Sequence, residues 1–248
     1  MEDPYRKLSR SEASDAVTRL GWRLVLGELR TEVRTGSLVL AADVAARAAT
    51  VAGAEGHLRL DVRADRVLLS LQTATAAWVT ERDVELARNI STVVDETRLE
   101  TVSGVGSDAD IDGDGSDGGD GSAGGGERAV QVIEIGIDAL DAAAIRPFWR
   151  AVLGYVDEPG RFGPWDGLVD PLGQGPAVWF QRMDAPRPQR NRLHLDVSVP
   201  HDEAESRLGA ALAAGGTMIN DTRAPAFWVL ADAEGNEACV TTWQGRDG

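Results

Sequence analysis

The sequence predicts an α+β protein in two parts: an N-terminal antiparallel sheet with helices on one face, and a C-terminal pair of βαβββ modules. Three observations carry that reading. Residues 104–126 contain ten glycines and six aspartates. They offer too little apolar surface to offset the entropy of ordering, so the tract reads as a disordered linker. Helical and strand periodicities alternate through the first half, and from Val130 to Trp243 one pattern occurs twice. The expected organisation is a domain over residues 1–100, a linker over 104–126 and a second domain over 128–245.

A Gly-rich coil of the linker's length has an end-to-end distance of roughly 25 Å. Asp108, Asp110, Asp112 and Gly113 imitate a calcium loop, but position twelve of that frame is Gly119 where a bidentate glutamate is needed. Linker is the reading.

In the first half, Ser9–Leu20 opens with serines and acids, places Ala13, Ala16, Val17 and Leu20 at helical spacing, and stops at Gly21. Trp22–Val33 alternates as one strand, with Trp22, Leu24 and Leu26 on one face. Val39–Ala52 has the spacing of a second helix. Leu58–Arg63 and Arg66–Thr73 alternate as two strands joined at Ala64 and Asp65. Thr80 caps a last helix, with Glu81 and Asp83 in its first turn and Val84, Leu86, Ala87 and Ile90 on its apolar positions.

In the second half, the strand Val132–Asp138, the helix Ala142–Leu153 ending at Gly154, and short apolar runs at Gly167–Val169 and Ala177–Gln181 form one copy. The strand Leu193–Val199, the helix Asp202–Ala214 and strands at Thr217–Asn220, Phe227–Ala231 and Ala238–Trp243 form the other. Alternation puts Ile133, Ile135 and Ile137 under the first helix and turns Glu134 the other way. Leu193, Leu195 and Val197 likewise face the second helix, while His194, Asp196 and Ser198 face away. Trp179, Gln181, Glu237, Cys239 and Thr241 alternate onto the same open side. A histidine and a carboxylate on paired strands can hold a divalent metal. Trp165, in a Gly-rich loop, is expected to line a ligand, and His201 to lie exposed at the start of a helix.

The net charge is −15, six units of it from the linker aspartates. Such a surface repels nucleic acid and anionic membranes, which excludes both as expected partners. No run approaches the ~20 apolar residues of a membrane span, and the polar start has no signal-peptide core. Cys239 is the only cysteine, which precludes an intrachain disulfide and makes the cytoplasm the expected compartment.

Residues from about Leu8 to Val94 resemble the pterin-4a-carbinolamine dehydratases. The likeness rests on Gly21-Trp22, the His57 region, the strand Val67–Thr73 and, most specifically, the segment from Thr80 through Asp83 to Ala87. It implies loss of water from 4a-hydroxytetrahydrobiopterin, a lyase reaction that needs an acid for the leaving hydroxyl and a base for the ring nitrogen's proton. Histidines suit both tasks. The family's His-His-Pro turn reads Gly56-His57-Leu58 here, and its further histidine is Ala74. His57 is thus the one retained candidate catalytic residue, with Glu55, Asp61 or Asp83 as substitutes for the others.

The second half resembles the glyoxalase-like, bacterial branch of the vicinal-oxygen-chelate superfamily. Carrying the likeness are Phe148–Gly154, Arg192–Val197 and Phe227–Glu237. It implies a divalent metal held by Glu134, Gln181 and His194, with Cys239 at a fourth position that usually carries a carboxylate. Two functions compete: a pterin dehydratase weakened by its missing histidines, or a glyoxalase-like module that binds or transforms a small molecule. In the latter the first domain serves self-association into a homo-oligomer.

Overall fold

The computed structural model describes residues 4–102, 130–186, 193 and 195–245. The expected linker and His194 lie outside the described residues. The chain divides into two compact units, Met1–Val132 and Ile133–Gly248.

In the first unit, α1 (Arg10–Val17) begins at Ser9 with a capping box: Ser9 Oγ accepts from Glu12 N–H, and Glu12 accepts from Ser9 N–H at 2.7 Å. A 3-10 turn over Thr18–Leu20 follows. Gly21 then takes a left-handed conformation (φ 75), with the Thr101 carbonyl where a side chain would start. The expected single strand Trp22–Val33 is instead a hairpin of β1 (Arg23–Val25) and β2 (Glu28–Arg34). Leu26 and Gly27, at φ 50 and 76, make the tight turn. The correction has a plain cause: apolar alternation runs through the turn, and Gly27 was the signal that marked it.

α2 (Leu38–Ala49), β3 (Leu58–Val62), β4 (Arg66–Leu71), α3 (Glu81–Asp95) and β5 (Thr101–Val102) complete the unit. The antiparallel sheet has the order β1-β2-β4-β3, with β5 pairing β2. Leu29, Val33, Val67, Leu69 and Leu71 alternate onto one face and pack with Val44, Leu86 and Ile90 of the helices. The other face carries Arg30, Glu32, Arg34 and Arg66, with Glu32 bridging Arg34 at 3.0 Å and Arg66 at 3.3 Å. Trp22 is fully buried, and its indole N–H donates to Ser91 Oγ at 3.0 Å. β5 extends past residue 100, and Thr31 Oγ1 donates to the Val102 carbonyl at 3.0 Å.

The second unit holds two βαβββ modules. The first is β6 (Glu134–Ala139), α4 (Ala142–Leu153), β7 (Val156–Asp157), β8 (Leu168–Val169) and β9 (Ala177–Arg182). The second is β10 (Asp196–Ser198), α5 (Ala204–Ala213), β11 (Thr217–Asn220), β12 (Phe227–Ala231) and β13 (Glu237–Thr241). Their sheets have equivalent orders, β6-β9-β8-β7 and β10-β13-β12-β11, with the first pair parallel in each. Ile137, Phe148, Trp149 and Phe180 of one module share a core with Leu208, Leu230 and Val240 of the other.

Ile133 and Leu193 were expected beneath the helices. Both precede their strands and are 64% and 82% exposed. Trp243, just past β13, is exposed, and its indole N–H donates to His201 Nδ1 at 3.2 Å.

The turn from Asp232 to Asn236 fastens the two modules. Buried Asp232 accepts from the Trp149 indole at 2.9 Å and from the N–H groups of Glu234 and Asn236. Asn236 Nδ2 donates to the Asp138 carbonyl, and the Glu234 carboxylate accepts from Leu140 and Asp141 N–H ahead of α4. The motif read as a family marker is a structural knot. Asp170 repeats part of this device in the first module. Burial would raise its pKa, but N–H bonds from Gly175, Leu172 and Gln174 hold it below the usual carboxylate value.

Candidate functional site

His57 sits in the turn between α2 and β3, tied by its N–H to Ala54 O and by its carbonyl to Gln72 N–H. Its side chain is 7% exposed, and Nδ1 lies 2.7 Å from Asp83 Oδ1. Asp83 is fully buried in the first turn of α3. Its other oxygen accepts from Thr80 N–H at 2.7 Å and Thr73 N–H at 3.2 Å, with the hydroxyls of Thr73 and Thr80 at 2.8 and 3.0 Å. A carboxylate ringed by donors is an acceptor, so Nδ1 carries the proton toward it and Nε2 is left as the basic nitrogen. Nε2 has no hydrogen-bond partner among the described residues. Asp83 therefore does two jobs, one arm of the α3 cap and the orientation of His57.

The two replaced family positions lie beside this pair: Ala74 N–H donates to the Gly56 carbonyl at 3.1 Å. Apart from its chain neighbours, nothing lies within 4 Å of the point where a Gly56 side chain would start, so this replaced position has room for one. Of the three acids considered as substitutes, Asp83 alone reaches His57; Glu55 is exposed and Asp61 pairs with Arg63. The Asp83 carboxylate orients the imidazole but, fully buried, it stands behind the ring. A groove of about 510 Å³ between the N-terminal segment, α1 and α3 lies elsewhere, and His57 does not line it.

In the second unit the strand register places two of the expected metal-binding residues, Glu134 and Gln181; the third, His194, lies outside the described residues. Glu134 pairs with Ala177, and Gln181 with Asp138. Glu134 and Gln181 therefore lie four residues apart along neighbouring strands, about 13 Å, and Trp179 with Gly136 occupies the position between them. The Trp179 ring lies so close to β6 that a side chain at Gly136 would meet it at 2.9 Å. Gln181 turns its amide to the Arg182 carbonyl. The register thus sets Glu134 and Gln181 on one face of the sheet but at different heights along it. Among the described residues no cluster of three metal-binding side chains occurs.

The register also pairs Gly136 with Trp179 and Asp196 with Cys239, positions related by the same shift of 60 along the chain. Trp179, and not Gln181, is therefore the counterpart of Cys239. On the second module, Asp196, Val229, Cys239 and Thr241 line a cavity of about 920 Å³, with Thr222 and Arg223 from the loop after β11. Trp165 packs against the core with the Arg182 guanidinium 4.1 Å above its ring.

Two family descriptions match this chain: pterin 4 alpha carbinolamine dehydratase over residues 6–93 and glyoxalase-like domain over residues 134–241. The molecule is a two-domain α+β protein in which a pterin-4a-carbinolamine dehydratase-like domain is joined to a glyoxalase-like domain. Among solved structures, a transcriptional coactivator/pterin dehydratase from Brucella melitensis is 26% identical, with 36% of this chain and 98% of that one covered and a TM-score of 0.33. A glyoxalase/bleomycin resistance protein/dioxygenase family enzyme from Burkholderia phytofirmans is 19% identical over 44% of this chain and 95% of that one, TM-score 0.37. A fosfomycin resistance protein from Listeria monocytogenes is 10% identical over 45% and 89%, TM-score 0.35. No curated protein matches the chain. Among the described residues no helix is long and apolar enough to cross a membrane.

Proposed function

We propose that the first unit is a cytoplasmic hydro-lyase of the pterin-4a-carbinolamine dehydratase type, with His57 as its acid–base group. The supporting observation is the 2.7 Å contact between His57 Nδ1 and buried Asp83, which turns the ring's other nitrogen, Nε2, away from that carboxylate. Loss of water breaks the bond from C4a to the hydroxyl oxygen while the N5 lone pair forms the new C=N double bond. N5 gives its proton to His57 Nε2, and the imidazolium returns that proton to the departing hydroxide as water. The Asp83 carboxylate stabilises the imidazolium between the two transfers. A single histidine thus serves both steps in turn. Each missing acid–base group is worth about 10²–10⁴-fold, so turnover is slower than a complete set of three gives. Absorbance-monitored dehydration of a 4a-hydroxytetrahydropterin tests this: the whole chain should exceed the spontaneous rate, and His57→Ala should fall to it. A wild-type rate equal to the spontaneous one ends the reading.

A second reading rests on the cavity of the second module, whose volume suits a small organic ligand. In it the glyoxalase-like unit binds a small molecule and the first unit holds copies together as a homo-oligomer. Thermal melts with candidate ligands, with and without a chelator, test it. A shift that survives chelation supports binding without metal, and no shift with any ligand counts against a binding role.

A further inference from the structure

Residues Pro4–Leu8 form a strap across the start of α3, turning at Pro4 and Tyr5 and bridging Thr80 at Lys7. Arg82 N–H donates to the Pro4 carbonyl at 2.8 Å, Glu81 N–H to Arg6 O at 3.2 Å, and Leu8 N–H to Val79 O at 3.1 Å. The Trp78 indole donates to Leu8 O at 2.7 Å, and Arg6 bridges Glu12 and Glu81. Helix starts leave their first N–H groups without intrahelical partners, and the strap supplies two of them. That fixes the backbone on either side of Tyr5.

Tyr5 is 58% exposed, yet its ring lies roughly parallel to the His57 imidazole, 27° apart in plane with centroids 6.2 Å apart. A large, half-exposed aromatic ring held against a nearly buried imidazole offers a flat face at the His57 site. Planar rings are favoured on such faces by dispersion and by offset stacking.

We propose that Tyr5 is a substrate-contacting, specificity-determining residue, whose ring presents a stacking face to a planar bicyclic heteroaromatic at the His57 site. The assignment rests on the dehydratase reading and deepens it. The tyrosine supplies binding, where a histidine would supply proton transfer. The effect therefore falls on affinity and not on the chemical step.

The test uses the full chain with 7,8-dihydropterin as the calorimetric probe and the 4a-carbinolamine as substrate. Tyr5→Ala is expected to weaken dihydropterin binding and raise KM about tenfold, the loss of one aromatic contact, with kcat within about twofold. Tyr5→Phe, which keeps the ring, is expected to bind and turn over closer to wild type than Tyr5→Ala. Amide protection of Glu81 and Arg82 in both variants reports whether the strap is still docked. A docked Tyr5→Ala variant with unchanged KM and affinity overturns the assignment, as does a docked Tyr5→Phe variant as impaired as Tyr5→Ala. Wild-type turnover with unaffected Tyr5→Ala overturns the tyrosine alone. Wild-type protein that neither binds nor dehydrates the pterin overturns both the tyrosine and the reading beneath it.

Discussion

Asp83 shows how one side chain can be a structural and a chemical element together. Its Oδ2 accepts from Thr80 N–H and its Oδ1 faces His57. Asp83→Asn keeps an acceptor for one of these tasks and loses the charge behind the imidazole. Orienting partners of this kind are worth about 10–100-fold or more. The variant should dehydrate pterin at least tenfold more slowly, with KM little changed, in steady-state assays. The restoring double variant is a stricter test. Ala74→His meets ordinary backbone, whereas Gly56→His places a side chain at φ 76, a strain of roughly 1–2 kcal/mol. The pair should raise the dehydration rate while lowering the melting temperature. In the other unit, Asp232→Ala strips partners from the Trp149 indole and two backbone N–H groups. It should lower stability by about 2–3 kcal/mol in urea titration.

Among the elements, α1 carries a pH-dependent contribution. The Ser9 N–H first, then the Ser9 hydroxyl and Arg6, hold the Glu12 carboxyl at about 2 against an ordinary 4.5. Because the folded value is depressed, this stabilisation is fully present above pH 4.5 and is lost as pH falls through about 2. Hydrogen exchange should show the first turn of α1 losing protection over that window while α2, whose cap at Ser37 is uncharged, keeps its own. Helix starts and stops were legible because each has a local chemical mark, Ser9, Thr80, Gly21 and Gly154 among them. The β1–β2 turn was missed although Gly27 marks it, since Leu26 continues the apolar alternation in a conformation that a leucine rarely adopts. β5 was missed because two residues hold no periodicity; only pairing with β2 defines it.

At the scale of the molecule, the buried cores divide as the units do, one built wholly before residue 100 and the other wholly after residue 133. Residues 1–102 expressed alone should therefore fold cooperatively and reproduce the amide spectrum of that unit in the whole chain. Ending the fragment at residue 94 removes β5 and the Thr31 bond to Val102, and a lower melting temperature is expected. The fusion of a pterin-dehydratase-like and a glyoxalase-like unit is legible in the sequence, because each half carries several separated motifs that must coexist in one domain.

Composition, periodicity and capping residues determined by themselves the two-part α+β architecture and the duplication, since these depend on neighbours along the chain; the candidacy of His57 came from the family resemblance of its segment. Which groups meet in space was decided only by the fold. Strand alternation tells the face a residue is on but not its height along the strand, so Glu134 and Gln181 share a side and still stand apart. Nor does any spacing rule bring Tyr5 to His57 or Asp83 beneath it; hydrogen bonds between distant segments do that.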